Sequence, residues 1–325
     1  MSSASRAGRA RALGLGLAAA CGLLTSGCRA RAVSATGDDM PAAAKAAPER
    51  LAFDREAAWK HLVGQCEFGP RVPGTEAHAR ARQYFIDELK GSTDRVVTQD
   101  FRYDGVRFSN VIGLIRPEAR KQVLLCAHWD TRPRADMEID EARKRRPIPG
   151  ANDGASGVAV LLELARVFHA RKPDVGVVIA LFDGEDYGDF ERDTGVFLGS
   201  RHFARTYRAL CRPAYGVLLD MVGDKDLTIY RERNSDRYAR DLNDRIFAIA
   251  RELRHGAKFV DEPRYAITDD HIPLNRAGIP SVDLIDFDYA YWHTLDDTPD
   301  RCSPESLAAV GETLAALVYR EKPVP

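Results

Sequence analysis

Glu185 and Asp186 stand side by side where an apolar run, Val175 to Phe182, gives way to Asp183-Gly184. The run is rich in β-branched residues and predicts a buried strand. Neighbouring side chains of extended backbone point to opposite sides. One carboxylate of the pair can therefore face a metal while the other stays free to carry a proton. A solvated acidic turn is the bland alternative, and only other residues decide between the two.

Those residues follow one pattern. His128 ends an apolar strand, Val123 to Ala127, and Asp130 comes two positions later, where on one strand face its carboxylate could orient the imidazole or a metal site. Asp220 ends the strand Tyr215 to Leu219, and His293 follows the strand Ser281 to Ile285 and a loop of aromatics, Phe287, Tyr289, Tyr291 and Trp292. Asp153 lies in Gly150-Ala151-Asn152-Asp153-Gly154-Ala155-Ser156-Gly157, where a helix begins, so a helix cap is its alternative role. The glycines of that stretch lack the Lys-Ser/Thr ending of a phosphate loop. Imidazoles and carboxylates gathered in this way suit zinc, which binds both and keeps an open position when catalytic. Cys66, Cys126, Cys211 and Cys302 show no Cys-x-x-Cys spacing, which argues against a thiolate site.

The elements that must position these groups alternate strand and helix. Helical periodicity covers Asp54–Val63, Thr75–Lys90, Val158–His169, Ser235–Leu253 and Ser303–Tyr319, the last with Ser303 as N-cap and Pro304 at its first position. Val96–Phe101 and Phe108–Ile115 form paired strands around Asp104-Gly105. The charge run Asp136–Arg146 is most simply a solvated loop. Such alternation predicts an α/β domain with a largely parallel sheet, whose ligands sit beyond the carboxyl ends of the strands.

Residues 1–27 are not part of that domain. Arg6, Arg9 and Arg11 precede a short apolar run, Ala12 to Leu24, too short for an ordinary spanning helix and suited to a secretion signal. Leu24-Thr25-Ser26-Gly27-Cys28 resembles the lipobox of bacterial lipoproteins, in which the Cys carries lipid. Residues 28–50 are Ala-rich and read as a flexible tether, and 51–325 are expected to form a single domain that carries the candidate site. The expectation is an exported bacterial lipoprotein on the periplasmic face of a membrane, at the outer membrane or the cell surface. A formal charge of −1 for the whole chain argues against a nucleic-acid partner and against electrostatic membrane binding. Attachment would be through the lipid alone.

From about Asp54 to the C-terminus the chain resembles family M28, the zinc peptidases that include bacterial aminopeptidases and the glutaminyl-peptide cyclotransferases. The resemblance rests on His128-x-Asp130, Asn152-Asp153-Gly154-Ala155-Ser156-Gly157, Glu185-Asp186, Leu219-Asp220, Asp269-Asp270-His271 and Trp292-His293-Thr294, in that order. It implies a three-layer α/β/α fold around a mixed, largely parallel sheet. In the aminopeptidase branch the Asp153 position bridges two zinc ions, His128 and Asp220 completing one and Asp186 and His293 the other. In the cyclotransferase branch one zinc is held by the equivalents of Asp153, Asp186 and His293. In both, the Glu185 position shuttles the proton.

The form Asp269-Asp270-His271-Ile272-Pro273 and Trp292 beside His293 resemble the cyclotransferases. There, that Trp lines the pocket for an N-terminal glutamine, and carboxylates equivalent to Glu185, Asp220 and Asp269 form a proton network. A bacterial subgroup shares His128-Trp129-Asp130-Thr131-Arg132-Pro133 and Asp183-x-Glu185-Asp186-Tyr187-Gly188. The animal enzymes differ: they carry Glu where Asp186 stands and a second pocket Trp in the following loop, where this chain offers Phe190. Cys126 lies near the position of their disulfide cysteine, but its expected partner is missing, and no such bridge is expected. The implied function is cyclisation of N-terminal glutamine of peptides or proteins with one zinc ion, ammonia leaving. The alternative is aminopeptidase hydrolysis with two. A lipid-anchored binding protein without turnover would lack Glu185 or His293, and both are present.

Overall fold

A computed structural model describes residues 53–324 of the chain. The expected signal segment, the expected tether and Cys28 lie outside the described residues.

Two helices, α1 (Arg55–Glu67) and α2 (Glu76–Ser92), lead into the antiparallel pair β1 (Arg95–Tyr103) and β2 (Val106–Ile115). Then come β3 (Gln122–His128), a short α3 (Glu141–Lys144), α4 (Ala155–Ala170), β4 (Gly176–Phe182), α5 (Leu198–Thr206) and β5 (Pro213–Asp220). A small parallel pair, β6 (Ile229–Arg231) and β7 (Phe259–Pro263), flanks α6 (Arg233–Glu252), and α7 (His271–Arg276), β8 (Ser281–Ile285) and α8 (Pro304–Tyr319) close the chain. The main sheet has the order β1-β2-β4-β3-β5-β8. Its β4, β3, β5 and β8 run parallel, while β1 and β2 are antiparallel additions at one edge.

The central strands are buried on both faces, which is why they read as unbroken apolar runs. Alternate residues serve opposite cores. Leu125, Ile179, Leu181 and Val217 pack under Leu161, Leu164, Phe168 and Leu314 of α4 and α8. Leu124, Val178, Phe182 and Leu218 meet Phe203 of α5 and Leu274 of α7 on the other face. Full burial of each such side chain contributes about 1.5–3 kcal/mol. The result is the three-layer α/β/α arrangement with a mixed, largely parallel sheet. Among the described residues, no helix is long and apolar enough to cross a membrane.

Two local expectations are corrected. The segment Asp136–Arg146 is not a plain solvated loop. It contains α3, capped by Asp140, and Asp136 turns inward to the site described below. The strand β3 ends at His128, so His128 and Asp130 do not share a regular strand face.

Candidate active site

Beyond the carboxyl ends of the parallel strands, backbone amides leave the ladder and need acceptors. The turn after β4 shows how this is solved. Gly184 adopts φ +74°, and Asp130 accepts from the amides of Glu185 (3.0 Å) and Asp186 (3.3 Å). Asp130 Oδ1 is 3.7 Å from His128 Nδ1, so Asp130 chiefly shapes the Glu185-Asp186 turn. Asp183 is spent in the same way, accepting from the Ser109 amide at 2.6 Å and lying 2.9 Å from His78 Nε2. Burial pushes its carboxyl up to about 6.

The Asn152–Gly157 stretch is a set of stitches between α4 and the end of β5. Asn152 Oδ1 accepts from Gly223 N (2.7 Å), and Ser156 Oγ donates to the Asn152 carbonyl (2.6 Å) while accepting from Val222 N (3.0 Å). Gly157 permits the approach, since a Cβ there would lie 2.4 Å from the Leu219 carbonyl oxygen. Gly154, at φ +96°, is the N-cap of α4 with no side-chain cap bond. The Asp153 carboxylate is therefore not the cap, and it is brought to Asp220. Asp297 holds the Asn152 and Asp153 amides at 2.8 and 3.2 Å, itself fixed by the Tyr289 hydroxyl at 2.7 Å.

Two groups of ligand-type atoms result, sharing Asp153. In each, the atoms lie within 4.8 Å of one another: Asp153, Asp186 and His293 in one, His128, Asp153 and Asp220 in the other. His293 Nε2 is 3.6 Å from Asp153 Oδ2 and 3.5 Å from Asp186 Oδ1. His128 Nε2 is 3.2 Å from both Asp153 Oδ1 and Asp220 Oδ1. Asp153 Oδ2 and Asp186 Oδ2 are buried without any hydrogen-bond partner. Orphaned carboxylate oxygens beside an imidazole are a donor set that fits zinc.

The first group is held from behind. Arg132 Nη1 donates to Asp186 Oδ1 at 2.7 Å, and its Nε and Nη2 donate to Asp136 Oδ2 at 2.8 and 2.6 Å. Asp136 Oδ1 in turn sits 3.0 Å from His293 Nδ1, which leaves Nε2 free to face the site. Phe190 covers this brace, its ring 4.9 Å from the Arg132 guanidinium carbon.

A cavity of about 240 Å³ opens onto both groups. Glu185, Asp220 and Asp269 line its polar end, and Ile267, Ile285, Phe287 and Trp292 its apolar walls. Trp292 stacks on His293 with centroids 4.0 Å apart. Burial raises the Glu185 carboxyl well above its usual range, and the charges of Asp186 and Asp269 add to it. Burial likewise raises Asp186, to about 7, and Asp269, where Asp220 adds repulsion. For His128 burial works the other way, but the carboxylates of Asp130, Asp153 and Asp220 outweigh it and raise its pKa above the usual imidazole range.

The structure thus brings Asp153, Asp186, His293, His128, Asp220, Glu185, Asp269 and Trp292 to one site. Sequence reasoning assigned no role to Asp136, Arg132, Asp297, Asp283 or Glu232. His271 and Asp283 lie behind Asp269, with Asp283 Oδ2 3.7 Å from His271 Nδ1 and Glu232 Oε2 3.4 Å from its Nε2. Arg132 had a signal in the Trp-Asp-Thr-Arg-Pro stretch; Asp136, inside a charge run, had none.

With this geometry in hand, the class is defined: the chain matches peptidase family M28 over residues 110–318 and belongs to that family. It is 28% identical over 289 residues to the glutaminyl-peptide cyclotransferase of Drosophila melanogaster, covering 79% of this chain and 77% of that protein. The solved structure of Tannerella forsythia glutaminyl cyclase is similar at TM-score 0.80 and 39% identity, with 83% of this chain and 99% of that one covered. A Zn-dependent exopeptidase from Parabacteroides distasonis is similar at TM-score 0.80 and 37% identity, with the same two shares covered.

Proposed function

We propose that this chain is a zinc-dependent glutaminyl-peptide cyclotransferase, converting N-terminal glutamine of peptides or proteins to pyroglutamate. Similarity to cyclotransferases along most of the chain supports the reaction. One geometric observation supports a single zinc ion at Asp153, Asp186 and His293. Those residues leave Asp153 Oδ2 and Asp186 Oδ2 unpartnered, whereas the oxygens facing His128 already lie at hydrogen-bonding distance from its Nε2.

Zinc, when bound, polarises the substrate carbonyl as a Lewis acid. The chain's own residues do the rest. Trp292, Phe287, Ile267 and Ile285 hold the methylenes of the glutamine side chain, bending it so that its amine and carboxamide meet. Both reacting groups belong to one molecule, so this orientation supplies much of the acceleration. The α-amine nitrogen bonds to the γ-carboxamide carbon, and the bond from that carbon to the amide nitrogen breaks. Glu185 takes the proton from the amine and delivers it to the departing nitrogen, which leaves as ammonia. Asp220 and Asp269 line the same cavity and hold the network in which that proton moves.

A second reading, aminopeptidase hydrolysis with two zinc ions, is favoured by the second ligand group, His128, Asp153 and Asp220. Ammonia release from a glutaminyl peptide, with no free amino acid formed, tests the cyclase reading; release of the N-terminal residue favours the other. For location, Leu24 to Cys28 supports cleavage before Cys28 and lipid attachment to its thiol, which would hold the catalytic domain at the periplasmic face of a membrane, at the outer membrane or the cell surface.

A further inference from the structure

Two further hollows lie beside the catalytic cavity, the nearer meeting it at Trp292. A second lobe of about 360 Å³ shares Phe190, Trp292 and His293 with it. A third, of about 480 Å³, adjoins the second through Arg134, Gly188 and Asp189. The first and third share no lining residue, so the second lies between them. A peptide whose first residue fills the catalytic cavity needs such a path, because extended chain advances about 3.3 Å per residue and must leave the pocket.

Both walls of this path are built. One is the loop 187–195, closed by reciprocal hydrogen bonds between Asp189 and Thr194 (2.8 and 3.1 Å). Within it, Gly188 lies so close to the returning strand of the loop that a Cβ would be 2.0 Å from the Thr194 carbonyl oxygen. The other wall carries Arg134, whose backbone is held on both sides. Arg132 is tied to Asp186 and Asp136, and buried Ala135 donates its amide to the Arg146 carbonyl at 2.8 Å.

Charge along the path is uneven. Arg132 is paired as above, and Arg192 lies 3.4 Å from Asp189. Arg134 is exposed and has no hydrogen bond or ion pair to any described residue. It lines both outer lobes, whereas Glu191 lines only the nearer one. In the farthest lobe one positive charge is left uncompensated.

Resting on the cyclase reading, we propose that the two outer lobes are a subsite for the chain that follows the N-terminal glutamine, and that Arg134 selects a carboxylate at about its third residue. That carboxylate is either an acidic side chain or the C-terminus of a tripeptide. A guanidinium on a fixed backbone is a suitable partner for either.

The test uses the full chain, its Arg134→Ala and Arg134→Glu variants, and glutamine amide as a substrate too short to reach the subsite. The wild type should cyclise Gln-Ala-Glu-Ala-amide with a kcat/KM about threefold to tenfold above that of the Lys-containing analogue, as expected for an exposed ion pair. Gln-Ala-Ala as a free acid should show the same gain over its amide if the C-terminus is also accepted; a gain confined to the Glu peptide assigns the subsite to side chains. Arg134→Ala should abolish the preference, Arg134→Glu should reverse it, and turnover of glutamine amide should not change. If glutamine amide is turned over but the wild type ignores charge, or the preference survives Arg134→Glu, the subsite assignment is overturned. If the wild type fails to cyclise glutamine amide at all, the cyclase reading falls, and the subsite with it.

Discussion

Arg132 donates a 2.7 Å hydrogen bond to Oδ1 of Asp186 and leaves Oδ2 of the same carboxylate buried without a partner. Through Asp136 the same guanidinium also fixes the ring of His293. One cation therefore sets the orientation of two of the three candidate zinc ligands.

Arg132→Met should lower zinc affinity about 10- to 100-fold, the usual cost of losing an outer-shell partner. Competition with a calibrated chelator reads this directly, independently of turnover. Asp136→Asn should act in the same direction, through His293 and through its own hold on Arg132. Unchanged affinity in both variants would mean that the brace is structural only.

Glu185 occupies the same turn as Asp186 but belongs to neither ligand group. Glu185→Gln should retain zinc and thermal stability while losing about 10²- to 10⁴-fold in kcat, the range for a removed general acid–base. A variant that purifies without zinc would show that the two neighbours have exchanged roles.

Trp292 stacks on His293 and walls the cavity. Trp292→Ala should raise KM for glutaminyl peptides strongly while zinc stays bound, since none of the ligand atoms is removed. Loss of zinc together with KM would make Trp292 a support for His293 and not a wall for substrate.

How far the sequence led to these residues depends on what each position advertises. β3 and β4 are visible because burial on both faces leaves unbroken apolar runs, and the His at the end of one and the acids after the other stand out against them. The Asn152–Gly157 stretch is visible as a motif, but its reason is not. Only the packing of α4 on β5 shows that Asn152, Ser156 and Gly157 exist to bring Asp153 to Asp220. Asp136 was hidden because its segment has the composition of a solvated loop, and its contact with His293 spans a long stretch of chain. Asp283 was hidden for the opposite reason: it sits inside an apolar strand, and nothing in the spacing ties it to His271. Pairings between distant segments are set by the fold, and periodicity does not report them.

Cys28 carries the prediction for location. Cys28→Ala should move the protein from the membrane fraction to the soluble fraction, and intact-mass analysis of the wild type should show a lipidated Cys28 at the N-terminus. An unmodified Cys28, or cleavage at another position, would remove the anchor.

The most direct test measures zinc per chain and, on the same sample, turnover of matched glutaminyl and leucyl peptides. A cyclase of the kind proposed binds one functional zinc ion and releases ammonia from the glutaminyl peptide faster than leucine from the leucyl peptide. Two zinc ions per chain with faster release of leucine would contradict it, and would make the shared Asp153 the bridge of a two-metal aminopeptidase.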